Sequence, residues 1–234
     1  MIPAFVIHAT HYLERKAHML KMLEGKNVQS SFVLEGDKHQ LNDEIIDRYF
    51  KGQTPVTNAM SCSYKHLLTY QYLLAGDYEW AMVLEDDVFL NDNFNEELDQ
   101  LLIEIKNRKI NTALISLEDS SLTFVERSLI KKEYRLYEKP KGRMAGAYLI
   151  DREGAVAILK KVEQESCFLP IDWFHNHCVN DGVLKIYWTK SAVATQGSLS
   201  GRISSTLEKK PAHRLKYFSF LVQRNYKKMI AFFR

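Results

Sequence analysis

Short apolar runs alternate with amphipathic segments over most of the chain, and this alternation narrows the fold more than any other feature. Ile2–His8 reads as a buried strand, and Leu13, Ala17 and Leu20 mark a helix over Leu13–Glu24. Ser30–Gly36 reads as a second strand, followed by a polar stretch to about Pro55. Met60–Ala75 carries Met60, Tyr64, Leu67, Leu68 and Leu74 at helical spacing, and Gly76 stops it. A strand at Trp80–Leu84 precedes a helix over Asn93–Arg108, capped by Asp92 or Asn91, with Phe94, Leu98, Leu101 and Ile105 on one face. Thr112–Leu117, Ala145–Ile150 and Leu184–Thr189 read as strands, and Glu153–Val162 as a helix. This order predicts an α/β fold with a mostly parallel central sheet flanked by helices. A chain of 234 residues suffices for one large core, and 46% hydrophobic with 26% charged residues is an ordinary globular composition. The sequence shows no repeat, GxGxxG or Walker-type loop.

Three scattered cysteines, Cys62, Cys167 and Cys178, argue against a disulfide framework and for a reducing compartment. The N-terminal apolar run lacks preceding basic residues and a small-residue cleavage site, so no signal peptide is expected. No stretch is long enough to span a bilayer, and the expected location is the cytoplasm. The net charge of +3 conceals an asymmetry: residues 209–234 hold eight Lys or Arg and no Asp or Glu, leaving the body at −5. The expected division is a domain over 1–207 and a basic tail over 208–234. In that tail Leu215, Phe218, Val222, Tyr226, Met229, Ile230 and Phe233 share one helical face, and Lys216, Gln223, Lys227 and Arg234 another. A basic amphipathic helix with interleaved aromatics suits an anionic membrane surface, here the inner face of the cytoplasmic membrane. The other reading is a terminal helix packed on the domain. Without a recognition fold beside the charge, nucleic acid is not an expected partner.

The chemistry concentrates at Glu85-Asp86-Asp87, which ends the apolar run Trp80–Leu84. Adjacent carboxylates repel and resist burial unless water or a cation compensates them. Ligands of open α/β sheets bind outside the carboxyl ends of the strands, where this triplet falls. Strand alternation predicts Glu85 and Asp87 on one side, about 6–7 Å apart, and Asp86 on the other. Hard cations such as Mg²⁺ or Mn²⁺ take such oxygen ligands together with substrate phosphates. A solvated turn with helix-capping acids is the bland alternative.

The region Ser61–Leu90, SCSYKHLLTYQYLLAGDYEWAMVLEDDVFL, resembles the signature of the family 25 glycosyltransferases of lipooligosaccharide and lipopolysaccharide synthesis. Cys62, His66, Glu79-Trp80-Ala81 and Leu84–Val88 carry the match; Ser61 replaces the usual Gly and Lys65 the usual Ser. The opening strand with Arg15, the block AGAYLIDREGA at Ala145–Ala155, LPID at Leu169–Asp172 and Gln196 follow in family order. The resemblance implies one GT-A-like domain, a UDP-sugar donor (most often UDP-galactose), Mn²⁺ or Mg²⁺, inversion at the anomeric carbon, and a lipooligosaccharide or other glycolipid acceptor.

Within that frame Asp87 is the expected metal ligand, with Glu85 as second acidic contact to the metal shell or nucleotide, and Asp86 on ribose or metal-bound water. Asp172 and Glu118 are the candidate catalytic bases; either can equally be a helix cap or an acceptor ligand. Arg15 is placed on the nucleotide or diphosphate, or is a solvated helix charge. His66 reads on its own as a packed, hydrogen-bonded residue and through the family match as donor-binding; Gln196 contacts donor or acceptor, or is an ordinary loop residue. His175, His177 and Cys178 match no standard zinc spacing. Two rival functions remain: a two-metal nucleotidyl or phosphoryl transferase, and a non-catalytic carbohydrate- or membrane-binding module with a vestigial acidic site.

Overall fold

The computed structural model describes residues 2–119, 122–204 and 214–233. Strand β1 (Ile2–Ile7) leads through helix α1 (Leu13–Leu23) to β2 (Val28–Val33). Helices α2 (Asp43–Phe50) and α3 (Asn58–Ala75) precede β3 (Trp80–Glu85) and the short β4 (Val88–Leu90). Then come α4 (Phe94–Arg108), β5 (Ala113–Ser116), β6 (Leu136–Lys139), β7 (Ala147–Asp151) and α5 (Arg152–Glu165). The chain continues through α6 (Ile171–Asn180), β8 (Lys185–Thr189), β9 (Ala194–Gln196), α7 (Gly197–Ser200) and α8 (Arg214–Phe233).

Seven strands form one sheet in the order β2-β1-β3-β7-β5-β8-β6, and β4 pairs with β9 beside it. Strands β1, β2, β3, β5 and β8 run in one direction; β7 and β6 run against them. The fold is thus α/β, with a mostly parallel sheet covered by helices on both faces. Period-two alternation divides each central strand between two cores. Ala81, Val83, Tyr148 and Ile150 pack toward α3, α5 and α6, while Met82, Leu84, Ala147 and Leu149 pack toward α4 and Met19 of α1. Apolar side chains on both faces explain why the central strands read as unbroken hydrophobic runs.

Several expectations shift. The second strand is Val28–Val33, set by its register from Ile2↔Val28 to Ile7↔Val33, rather than Ser30–Gly36. The polar stretch before Pro55 contains α2, capped by Asn42 and anchored by buried Ile46, Tyr49 and Phe50. Neither Asp92 nor Asn91 is the cap of α4: Asn93 stands there without a side-chain cap bond, and Asn91 donates to the Ala192 carbonyl instead. Strands β4, β6 and β9, of three or four residues each, lie where no strand was expected. The boundary expected between residues 207 and 208 lies outside the described residues.

Helix α8 lies against the domain through buried Phe220, an Arg224–Asp119 ion pair of 2.6 Å and a Lys216 bond to the Ser198 carbonyl. Its other side leaves Leu215, Phe218, Val222, Tyr226, Met229 and Phe233 exposed.

Candidate functional site: an acidic turn at the mouth of a cleft

The carboxyl ends of β1 and β3 open into a cleft of about 150 Å³ whose wall includes Tyr12, Arg15, Cys62, Lys65, Glu85 and Asp86. Strand β3 ends at Glu85 and the chain turns at Asp86-Asp87 before β4, so the three carboxylates take three different environments.

Asp86 is neutralised in place. Its two oxygens receive His8 Nδ1 at 2.8 Å and Arg15 Nη1 at 2.6 Å, all three residues buried. Arg15 also donates to the Ser204 carbonyl and lies 3.9 Å from Asp87. It is therefore a buried anchor under the acidic turn, not a solvated helix charge.

Asp87 is the unsatisfied member. One oxygen accepts the Ser198 amide at 2.9 Å, and the other, Oδ1, is buried without a hydrogen-bond partner among the described residues. Burial, and next the charge of Glu85, push its pKa up to about 6 against the pull of Arg15. The alternation expected from the strand holds for Glu85 and Asp86 but fails at Asp87. The turn swings its carboxylate toward Ser198 and Arg15, and among the described residues no preformed cluster of three ligand atoms includes it.

Glu85 faces the α3 side. Gln196 of β9 donates to Oε2 at 2.6 Å, while Oε1 lies 3.8 Å from both Cys62 Sγ and His66 Nε2. His66 is fully buried, and its Nδ1 meets the Tyr148 hydroxyl at 2.7 Å. From there a buried chain runs Tyr148–Tyr70–His175 in steps of 2.7 Å. Burial, with the His66 charge second, holds His175 at about 3, so this chain is neutral. The Cys62 thiol is pushed well up by burial, then by Glu85, Asp86 and Asp172.

Asp172 sits in the first turn of α6, half-buried, and its carboxyl is raised by burial, opposed by the Trp173 amide and raised further by Glu85. Glu118 has no exposed surface; it accepts the Gly146 amide at 3.0 Å beneath Gln196. A Cβ on Gly146 would lie 2.6 Å from Glu118 Oε2, so this contact requires glycine. Lys65, also buried, binds Asp37 at 3.0 Å and three carbonyls of residues 33–35, which fixes the loop after β2.

Thus Glu85, Asp86, Asp87, Arg15, His66 and Gln196 come together around the turn, and the charge of Glu85 reaches Asp172. Glu118 lies behind that group. His8 escaped notice in the sequence, and Cys62 and Lys65 were read only as positions of the family match with no role of their own, although Cys62 and His66 stand one helical turn apart and share a face. His175 and His177 are not joined with Cys178: the first ends the buried chain and the second pairs with Glu165 at 2.7 Å.

The orphaned Asp87 oxygen, with Glu85 close enough to raise its pKa, is what a hard divalent cation would relieve, so these oxygen donors fit such an ion.

The family model "Glycosyltransferase family 25 (LPS biosynthesis protein)" matches residues 1–175. The chain belongs to glycosyltransferase family 25. A relative named "Probable inactive glycosyltransferase 25 family member 3" from Rattus norvegicus is 26% identical over 124 residues, 48% of this chain and 22% of its own length. The Bos taurus protein of the same name is 23% identical over 181 residues, covering 73% of this chain and 30% of the relative. This family 25 chain spans less than a third of the length of the curated relatives it matches. Among solved structures, A197 from STIV aligns over 80% of this chain and 81% of its own at 15% identity and TM-score 0.44. A putative glucose-1-phosphate thymidylyltransferase from Bacillus anthracis aligns over 82% and 70% at 16% identity and TM-score 0.38. Scores this low carry no argument.

Proposed function

We propose that this chain is an inverting, metal-dependent glycosyltransferase that moves a hexose, galactose in the first instance, from a UDP-sugar to a lipooligosaccharide acceptor. The observation that carries the reading is the buried, unsatisfied Asp87 oxygen beside Glu85 at the cleft of a family 25 chain. Asp87 and Glu85 would hold Mn²⁺ or Mg²⁺, which supplies neutralisation of the charge that develops on the leaving diphosphate. Arg15, fixed by Asp86, adds a permanent positive charge at the same turn. Gln196 holds Glu85 in place, and His66 supports the wall behind it.

In the transfer, the acceptor hydroxyl oxygen bonds to the anomeric carbon as the bond from that carbon to the diphosphate oxygen breaks on the opposite face. Asp172 takes the hydroxyl proton. Its half-buried position and raised pKa suit a base better than Glu118, whose burial keeps it from an incoming hydroxyl. Glu118 acts as a positioning residue through Gly146.

The acceptor's lipid places the reaction at a membrane. No helix among the described residues is long and apolar enough to cross one. The exposed α8 stripe, in a segment of eight basic and no acidic residues, suits docking on an anionic leaflet at the inner face of the cytoplasmic membrane. Each Lys or Arg reaching that surface contributes about 1 kcal/mol.

The deciding experiment is a thermal-shift titration with UDP, with and without Mn²⁺, followed by transfer from UDP-galactose to a deacylated lipooligosaccharide. A rise in Tm that requires both ligands, with turnover, supports the reading. The names of the relatives favour a second reading, a non-catalytic glycan-binding module. It predicts acceptor binding with neither the metal-dependent UDP shift nor turnover.

A further inference from the structure

Beside the oxygen-donor turn lies a second group of different chemistry. Cys62 and His66, one turn apart on α3, and Glu85 at the end of β3 bring one sulfur, one nitrogen and one oxygen within 4.8 Å of one another. Sγ and Nε2 each lie 3.8 Å from Glu85 Oε1. Zinc bonds of about 2.0–2.3 Å at tetrahedral angles place ligand atoms roughly 3.4–3.6 Å apart, so small side-chain adjustments close this group on one ion.

Two features of His66 point to a ligand there. His66 has no exposed surface, yet its Nε2 faces the group without a hydrogen-bond partner among the described residues. Its other nitrogen is already held by the Tyr148 hydroxyl, the outer contact that fixes the orientation and tautomer of a metal-binding imidazole. With Nδ1 as the donor to Tyr148, the Nε2 lone pair points at Cys62 and Glu85. Cys62 and Glu85 both line the cleft, so an ion can enter from solvent.

We propose that Cys62, His66 and Glu85 form a binding site for a thiophilic divalent cation of the zinc class, with its fourth position open toward the cleft. Thiolate and imidazole select such an ion over Mn²⁺ or Mg²⁺, which prefer the all-oxygen setting of Asp87. On binding, the Cys62 thiol gives its proton to solvent and the thiolate takes the metal. The site shares Glu85 with the cation setting proposed at Asp87, but it involves neither UDP nor Asp87, and Cys62 and His66 belong to it alone.

Co²⁺, added to the metal-free full chain, is the probe. The expected result is one equivalent bound with the visible bands of tetrahedral cobalt and a near-ultraviolet thiolate-to-cobalt band, all bleached by Zn²⁺, which binds more tightly. Cys62→Ser should remove the thiolate band and weaken Zn²⁺ binding at least about a hundredfold, a loss beyond the 10–100-fold typical of outer-shell changes. Glu85→Gln should weaken it too, while Cys178→Ser and Asp87→Asn keep the band. No thiolate band in the wild type at saturating Co²⁺, or an undiminished one in a folded Cys62→Ser protein, overturns the site. A failed UDP–Mn²⁺ shift with the cobalt band present removes the functional reading and leaves this site standing.

Discussion

Among the described residues two clusters have metal-ligand composition, Cys62–His66–Glu85 and Glu165–His177–Asp181, and they differ in what sits among them. In the second, Lys161 pairs with Glu165 at 2.6 Å and also with Asp181, while His177 meets Glu165 at 2.7 Å. Hydrogen bonds to Asp181 and Glu165 raise the Lys161 pKa, and the same lysine lowers that of Glu165. That network contains its own cation. Among the described residues the cleft has none in the equivalent place: Arg15 is bound to Asp86 and only 3.9 Å from one oxygen of Asp87, Lys65 is bound to Asp37, and both Asp87 Oδ1 and His66 Nε2 are left over. Ligand-type residues close together therefore say little; what separates the clusters is whether buried polar atoms remain unpaired after every neighbour has been counted.

The strongest way to break that contrast is Asp87→Asn. If the orphaned carboxylate serves a cation, transfer should fall by about 10³-fold or more, and the Mn²⁺-dependent UDP shift should vanish. The same variant should be more stable without ligand. A carboxyl raised from 3.8 to about 6 loses stability as pH rises through that range, and an uncharged amide avoids the loss. The gain at neutral pH should be roughly 3 kcal/mol, or about 6–12 °C in Tm. Lower stability with intact turnover would show that Asp87 is a structural acid like those around Lys161.

Asp172→Asn sharpens the comparison from the base side. Turnover should drop about 10²-fold, with the UDP–Mn²⁺ thermal shift unchanged, because the residue meets the acceptor and not the diphosphate. If the shift disappears as well, Asp172 belongs to the donor site, and Glu118 returns as the candidate base.

The central strands of the sheet were legible because they are buried on both faces, and the long helices because an apolar stripe repeats at their period. Strands β4, β6 and β9 were not, since three or four residues carry no periodicity and their partners are distant in sequence. The family blocks located the acidic turn, but not how its charges divide. Asp86 looked as available as Asp87; only the fold brings His8 from β1 and Arg15 from α1 against it. Glu118 looked like a site residue because it ends an apolar strand, and the burial that makes it a support for Gly146 comes from the neighbouring strands β7 and β9.

His175 gives a smaller effect, read in pH. Held at about 3 against an ordinary 6.5, it stays neutral in the folded chain while the unfolded chain takes up a proton below about pH 6.5. Its contribution is full above that pH and is lost as pH falls toward 3. His175→Gln, which can keep a bond to Tyr70, should remove roughly 2–3 kcal/mol of the stability lost by the wild type between about pH 6.5 and 4.5. Urea melts at the two pH values check it. An unchanged pH dependence would mean that the buried chain behind His66 opens to water before it titrates.

The smallest effect should come from Lys161→Met, and it tests the contrast from the other side. Lys161 is itself covered, but its partners Glu165 and Asp181 are more than a third exposed and well hydrated, so Tm should fall only slightly. Removing the internal cation leaves Glu165, His177 and Asp181 with ligand atoms still close together. If an unpaired group is what makes such a cluster receptive, this variant should gain a weak Co²⁺ equivalent without a thiolate band, in addition to the one at Cys62. If it gains none, proximity without burial is too little, because solvent already satisfies those atoms and a metal would have to displace water from each of them.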